Sequence, residues 1–369
     1  MLGGQVRRLV GRHQPPLDFL PQDAAQVIFR ACVSFQVPVG CIAQIIRGDF
    51  PCFSVFCGHC PKNPFMQHHR TPKHYIYLLF LALAWGSAFM FNKIAVQSIP
   101  PITIAASRIS LGAFVVWLIL RHQKLSLPKD IRSWWNIGRV GILGTALPFM
   151  LVSWGVKYQN AGTAAICMSL VPLHTFILAH FLTHDEKMSW IKLVGIIFGV
   201  SGIVILFIDS TNFETEGILQ ILGFLAFLVT GLCYSLSGVM IRHFKNKNPL
   251  VGATVMLICS SCVIWPIALI VDKPWTGSPD TGGLWSVAFL GIVSTGLATI
   301  VLVHLTHLVG ATFVAYNNYI VPLTGVFTGY IWLNEPLKET TFASVFLVLT
   351  GIYLTERWKQ KAEKKLIDI

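Results

Sequence analysis

From Tyr75 to the C-terminal tail the chain is a succession of apolar segments separated by short polar loops, each segment about as long as a bilayer is thick. They fall near 75–96, 101–120, 136–156, 161–181, 190–208, 217–240, 250–271, 285–306, 310–332 and 341–355. No other feature constrains folding as much. Hydrocarbon offers backbone N–H and C=O groups no partner, so such segments must satisfy them internally, as helices. The expected fold is an all-α integral membrane protein with ten transmembrane helices. Composition agrees, since 54% of residues are hydrophobic and 12% charged, about half the charged fraction of a soluble domain.

The net charge of +12 belongs to the loops and tail. With the segment before Tyr75 placed inside, the inner loops hold Arg121, Lys124, Lys129, Arg132, Lys187, Lys192, Arg242, Lys245 and Lys247. The tail adds Arg357, Lys359, Lys361, Lys364 and Lys365. The outer loops hold few bases (Lys157, Lys273, Lys338) and the acids Asp209, Glu214, Glu216, Asp272 and Asp280. This asymmetry puts both termini in the cytoplasm, and the expected location is a bacterial-type inner (plasma) membrane. It also accounts for the basic excess without nucleic acid.

Residues 1–72 are unlike the rest, with no sustained period. The best apolar run, 31–46, is too short to span a bilayer and carries Gln36, Pro38, Gly40 and Gln44. Cys57-Gly-His-Cys60, with Cys52, His68 and His69 nearby, is half of a structural zinc site whose second pair is missing, so no metal or cofactor is expected. Met66 opens a short basic lead into the first span. The expectation is a start at Met66, with the residues before it a mis-assigned or disordered extension. Cys167, Cys233, Cys259 and Cys262 lie in apolar segments as small hydrophobes.

Within the membrane part the sequence repeats. Val171–Gly202, with Pro172, an acidic turn at Asp185-Glu186 and glycines at 195 and 202, is echoed by Val321, Pro322, Asn334-Glu335 and Gly351. Glu186 to Glu335 and Gly202 to Gly351 share a spacing of 149 positions. Trp85-Gly86-Ser87 answers Tyr234-Ser235-Leu236 at the same spacing, and Gly141–Pro148 answers Gly291–Ala298 at 150. Five spans per copy make the second enter the membrane from the opposite side, which predicts two inverted five-helix repeats, 73–208 and 217–356, before a basic tail at 357–369.

These features together resemble the drug/metabolite transporter superfamily, specifically its EamA-type ten-helix carriers. The resemblance rests on WGSAF at Trp85–Phe89 with Lys93 later in that helix, and on AASRISLGAF with Arg108. It rests also on the Pro172 helix ending in Asp185-Glu186 and on the matching Pro322 and Asn334-Glu335. It covers Tyr75 to about Glu356; Ser344, where the second copy would carry its first glycine, departs from it. It implies secondary transport of a small organic solute, such as an amino acid, metabolite or drug, often outward, through a central cavity.

Polar residues inside spans are expensive and need a reason. Arg108 pairs either with an anionic group of a solute or with backbone carbonyls. Tyr316-Asn317-Asn318-Tyr319 lies mid-span just before Pro322, which frees a carbonyl one turn upstream, and its carboxamides suit a zwitterionic solute or a neighbouring helix. Trp85, Trp154 and Tyr234 are candidate aromatic walls, or belt residues at the interface. His174, two residues past Pro172, is the candidate for proton coupling, against a plain interhelical hydrogen bond. Lys93 reads as snorkelling, and Asp185, Glu186 and Glu335 as caps of the helices that follow them.

The function class that fits is a secondary transporter of a small-molecule solute, working by alternating access. A lipid flippase or sensor of the same architecture is the alternative, and a membrane enzyme fits less well, since His304-x2-His307 has no acidic company. No catalytic residue is expected. The coupling ion, the direction of transport and homodimer formation stay open.

Overall fold

The computed structural model describes residues 71–182, 189–210, 217–241 and 248–367. The expectations for residues 1–70, and for Asp185, Glu186 and Arg242, lie outside the described residues. Among these residues there are helices and no strand. Eight helices are long and apolar enough to cross a membrane. They are α1 (Pro72–Ala95), α2 (Pro101–His122), α3 (Ile131–Tyr158), α4 (Ala161–Leu182), α5 (Trp190–Asp209), α6 (Gly217–Ile241), α7 (Pro249–Val271) and α8 (Thr281–Val309). Two shorter ones follow: α9 (Asn317–Leu333), after a single turn at Ala311–Val314, and α10 (Glu339–Ile367), whose apolar part is Glu339–Thr355. Length and composition therefore carry eight of the ten expected spans. The 17 residues of α9 rise about 25 Å.

Local sequence explains where the helices begin. Proline occupies the first turn of α1, α2 and α7, where a missing N–H costs nothing. Asp130 accepts from the Ser133 N–H at the start of α3, and Asp280 accepts from the Gly283 N–H at the start of α8. These two caps stand 150 positions apart.

Interruptions repeat as well. A π-helical stretch, Ile142–Ala146, lies within α3, and another, Leu290–Leu297, within α8. They coincide with the two copies of the Gly141 and Gly291 motif. α4 is broken at Ser169–Leu170 and the α9 region at Ala315–Tyr316.

Packing follows the same duplication. α1 lies against α8 and α9, and its counterpart α6 against α3 and α4. α2 packs on α7 and α5 on α10, so each of these helices meets its own image. Ser110 and Ser261, on α2 and α7, bring their hydroxyls to 2.6 Å. Small residues let these backbones approach, as expected where lipid gives helices little apolar drive to associate.

Candidate functional site

The interruptions of α3, α4, α8 and α9 surround a cavity of about 400 Å³. Its wall draws on α1, α2, α3 and α4 from the first repeat and on α6, α7, α8 and α9 from the second. Helices α5 and α10 contribute nothing to it.

The lining is built from image pairs. Trp85 and Tyr234, and Arg108 and Leu257, stand 149 positions apart, and all four face the cavity. At a spacing of 150 come Gly144 with Ser294, Thr145 with Thr295, and Phe149 with Thr299. Val152 with Leu302, Met168 with Asn318, and Val171 with Val321 complete the set. The framework is thus symmetric while its chemistry is not.

Arg108 projects from the middle of α2 and is buried. Its guanidinium lies 3.8 Å from the centre of the Phe149 ring, a cation–π contact. Its Nε and Nη2 each donate to Thr295 Oγ1 at 3.3 Å. The Thr295 hydroxyl in turn donates to Leu290 O at 2.8 Å, five residues back, spanning the π-helical turn. Among the described residues no carboxylate pairs with Arg108. At the residue before Thr295, Trp85 Nε1 donates to Ser294 O at 3.1 Å, and Ser294 Oγ donates to Ala84 O at 2.7 Å. These reciprocal bonds fasten α1 to α8 at the cavity edge.

On the facing helices, proline exposes backbone. Pro172 and Pro322 have no N–H for the carbonyls four residues earlier, Met168 O and Asn318 O. Both residues line the cavity. Asn317 is buried and its Oδ1 has no hydrogen-bond partner among the described residues. Asn92, from α1, is satisfied: Nδ2 donates to Ala88 O at 3.0 Å, and Oδ1 accepts from Ser153 Oγ at 2.8 Å.

Of the residues singled out in the sequence, Asn317, Asn318, Arg108, Trp85 and Tyr234 share this wall. Tyr316, Tyr319, Trp154 and His174 are not part of it. Tyr316 caps α9 and sets its ring edge-on to Phe313 at 6.0 Å. Tyr319 packs on the apolar cluster around Phe89 and Val152. Trp154 lies against Tyr158 at 5.1 Å. It stands two residues past Val152, roughly 200° further round the helix. His174 sits over Gly231, with Nδ1 buried and unpartnered among the described residues. Phe89, Asn92, Phe149 and Thr295 were not anticipated. Periodicity held a signal for two of them, because Trp85, Ala88, Phe89 and Asn92 form one helical stripe.

Two charged residues outside the wall hold its frame. Lys93 Nζ donates to Val156 O at 2.7 Å and to Gln159 O at 2.9 Å, closing the C-terminal end of α3. It is a tie to backbone rather than a snorkelling side chain. Glu335 accepts from the Ala161 N–H at 2.6 Å and the Gly162 N–H at 3.0 Å. It therefore caps α4, in the other repeat, rather than the helix that follows it. Asn334 causes this: its left-handed conformation (φ 53°) lets the Glu335 N–H bond back to Gly329 O, turning the carboxylate toward α4.

Among the described residues no group of three or more His, Cys, Asp or Glu side chains is placed to hold a metal ion.

The chain is similar to known proteins. The chain is 29% identical over 285 residues to the "Uncharacterized transporter YyaM" of Bacillus subtilis, covering 75% of this chain and 92% of that protein. An "Uncharacterized transporter" of Archaeoglobus fulgidus is 27% identical, over 77% of this chain and 99% of its own length. The "Uncharacterized inner membrane transporter YedA" of Escherichia coli is 22% identical over 75% of this chain and 88% of its own. A solved chain described as "Crystal structure of protein" superposes with a TM-score of 0.57 at 16% identity, covering 80% of this chain and all of that one, and shares the fold. The profile of the EamA-like transporter family matches twice, at residues 72–208 and 221–357. With two matching repeats and, among the described residues, eight helices long and apolar enough to cross a membrane, this chain is a multi-pass integral membrane protein and belongs to the EamA-like transporter family.

Proposed function

We propose that this protein is a secondary active transporter that moves a small organic solute through the cavity between its two repeats. The observation that carries the reading is the lining itself, eight image pairs drawn from four helices of each half. Two half-molecules of like fold and opposite sense can exchange conformations, so that a shared central site faces first one side and then the other. The π-helical turns in α3 and α8 and the breaks in α4 and the α9 region support this. They are the places where a helix bends without losing every backbone bond, and they border the cavity. The volume is that of a small-molecule site at the low end of the usual range.

The basic loops and tail support an orientation with both termini in the cytoplasm, in an inner or plasma membrane. Arg108, Asn317, Asn318, Trp85 and Tyr234 are the proposed contacts for the solute.

The test is flux in proteoliposomes containing the purified full chain. Uptake or counterflow of at least one solute from a broad metabolite panel, reduced at least tenfold by Asn317→Ala, is expected. Absence of flux for every solute, with lipid scrambled between leaflets instead, would establish a flippase in its place.

A further inference from the structure

We infer that the solute is a small carboxylate that also carries a hydrogen-bond donor, with its carboxylate held by Arg108 and its donor by the Asn317 side-chain oxygen. This rests on the carrier reading above and concerns the same cavity.

The first observation is an unpaired cation. A guanidinium has five N–H groups, and Thr295 Oγ1 takes two of Arg108's. Among the described residues the other three have no protein acceptor, and no acid there neutralises the charge. A buried charge in hydrocarbon is costly unless it meets an opposite charge or water. Its planar fork matches a carboxylate in two parallel hydrogen bonds.

The second observation is an orphaned acceptor. Asn317, 3% exposed, lines the same cavity, and its buried Oδ1 has no donor among the described residues. A hydroxyl or ammonium on the solute would supply the missing donor.

The third observation argues against a purely structural role. Arg108's image position holds Leu257, Asn318's holds Met168, Thr299's holds Phe149, and Asn317 answers Cys167. The framework accepts an apolar residue at each of these positions in its other copy, so packing alone does not demand the polar ones. These four polar groups stand once in a duplicated wall, which gives the cavity distinct polar and apolar partners for a solute with distinct ends. The Trp85 ring, Phe89 and Val152 provide the apolar side. One guanidinium balances one negative charge, and a dianionic phosphate ester would leave an uncompensated charge in the membrane.

The experiment uses purified full-length protein. Thermal shift and equilibrium binding are measured with lactate, mandelate, phenylacetate, leucine and phenylalanine, each beside its primary amide, with a phosphate monoester as a further arm. In the carrier arm, neutral and cationic metabolites are assayed for flux in the same proteoliposomes. At least one acid is expected to bind at least tenfold more tightly than its amide. Arg108→Gln is expected to abolish that preference and Arg108→Lys to keep part of it. Asn317→Ala is expected to weaken mandelate several-fold while leaving phenylacetate, which lacks the hydroxyl, unchanged. Should Arg108→Gln fail to fold, the acid-to-amide ratio in the unaltered protein and the Arg108→Lys variant decide. Amides binding as tightly as acids, preference for the phosphate monoester, or flux confined to neutral or cationic solutes overturns the inference and leaves the carrier reading standing. No flux of any solute overturns both.

Discussion

Gly195 of α5 and Gly351 of α10 pack backbone on backbone, so that a Cβ built on Gly195 would lie 2.7 Å from Gly351 O. Seven residues on, a Cβ at Gly202 would lie 2.8 Å from Ser344 O. The repeat spacing of 149 maps residue 195 onto 344 and residue 202 onto 351, so each contact is the image of the other with the partners exchanged. Only a two-fold axis crossing two antiparallel helices produces that pattern, which is the geometry of an inverted repeat. Ser344 is tolerated where its image is glycine because its hydroxyl folds back to donate to Thr340 O at 2.7 Å.

Replacing Gly195 or Gly351 with leucine is expected to force α5 and α10 apart and to destabilise the protein by about 1–3 kcal/mol, the usual range for overpacking. Gly238→Leu, at a glycine with nothing within 4 Å of its added Cβ, serves as the control. Melting temperatures in detergent separate the two outcomes, and equal losses would show that the glycine contact carries no special weight.

Glu335→Gln keeps the shape of the α4 cap but removes its charge, and Glu335→Ala removes the cap. The expected cost is about 1 kcal/mol for the first and up to ~2 kcal/mol for the second. Because Lys93 closes the neighbouring end of α3, the double variant Lys93→Met, Glu335→Gln should lose more than either alone. Chemical denaturation in micelles measures this, and a double variant as stable as the weaker single one would show that the two devices do not each contribute.

Asp280 carries a pH dependence. The Ser98 hydroxyl, at 2.5 Å, and then the Gly283 N–H hold its carboxyl below the ordinary aspartate value. A lowered folded-state pKa means the stabilisation is complete above the unfolded value of ~3.9 and is lost as pH falls through the folded one. Melting temperature should therefore drop on acidification below about pH 4. The drop should be smaller in Asp280→Asn and in Ser98→Ala, and an unchanged acid profile in both would remove Asp280 from the acid-sensitive groups.

Thr295→Val leaves two Arg108 N–H groups without an acceptor and the Leu290 carbonyl without its hydroxyl donor. The expected cost is about 1–3 kcal/mol, whereas Thr295→Ser should be close to neutral. Thermal melting of the two variants checks this, and equal stability of valine and serine would show that the hydroxyl does not hold the guanidinium.

Some of the site was legible in the sequence and some was not, for reasons that trace to individual helices. Arg108, Asn317 and Asn318 stood out because polar groups inside apolar spans are rare and costly. Trp85 and Tyr234 were legible as a pair, since each occupies the same place in its repeat. Phe149 and Thr295 were invisible because a phenylalanine and a threonine in a span are unremarkable until a guanidinium lies on one and bonds to the other. Tyr316 and Tyr319 looked equivalent to the asparagines between them. The break at Ala315–Tyr316 sets the phase of α9, and only a known phase tells which of four adjacent residues faces inward.

By itself the sequence determined that the chain is helical, that it crosses a membrane many times, and that it is built twice over. Hydrophobic run length and repeat spacing are properties of a line, and lipid permits few ways to satisfy a backbone. The tertiary structure alone decided which side chains share one cavity, that Glu335 caps a helix 174 residues earlier, and that Lys93 ties down α3. Those relations join residues from opposite repeats or distant helices. They depend on helix phase and crossing geometry, which no spacing along the chain records.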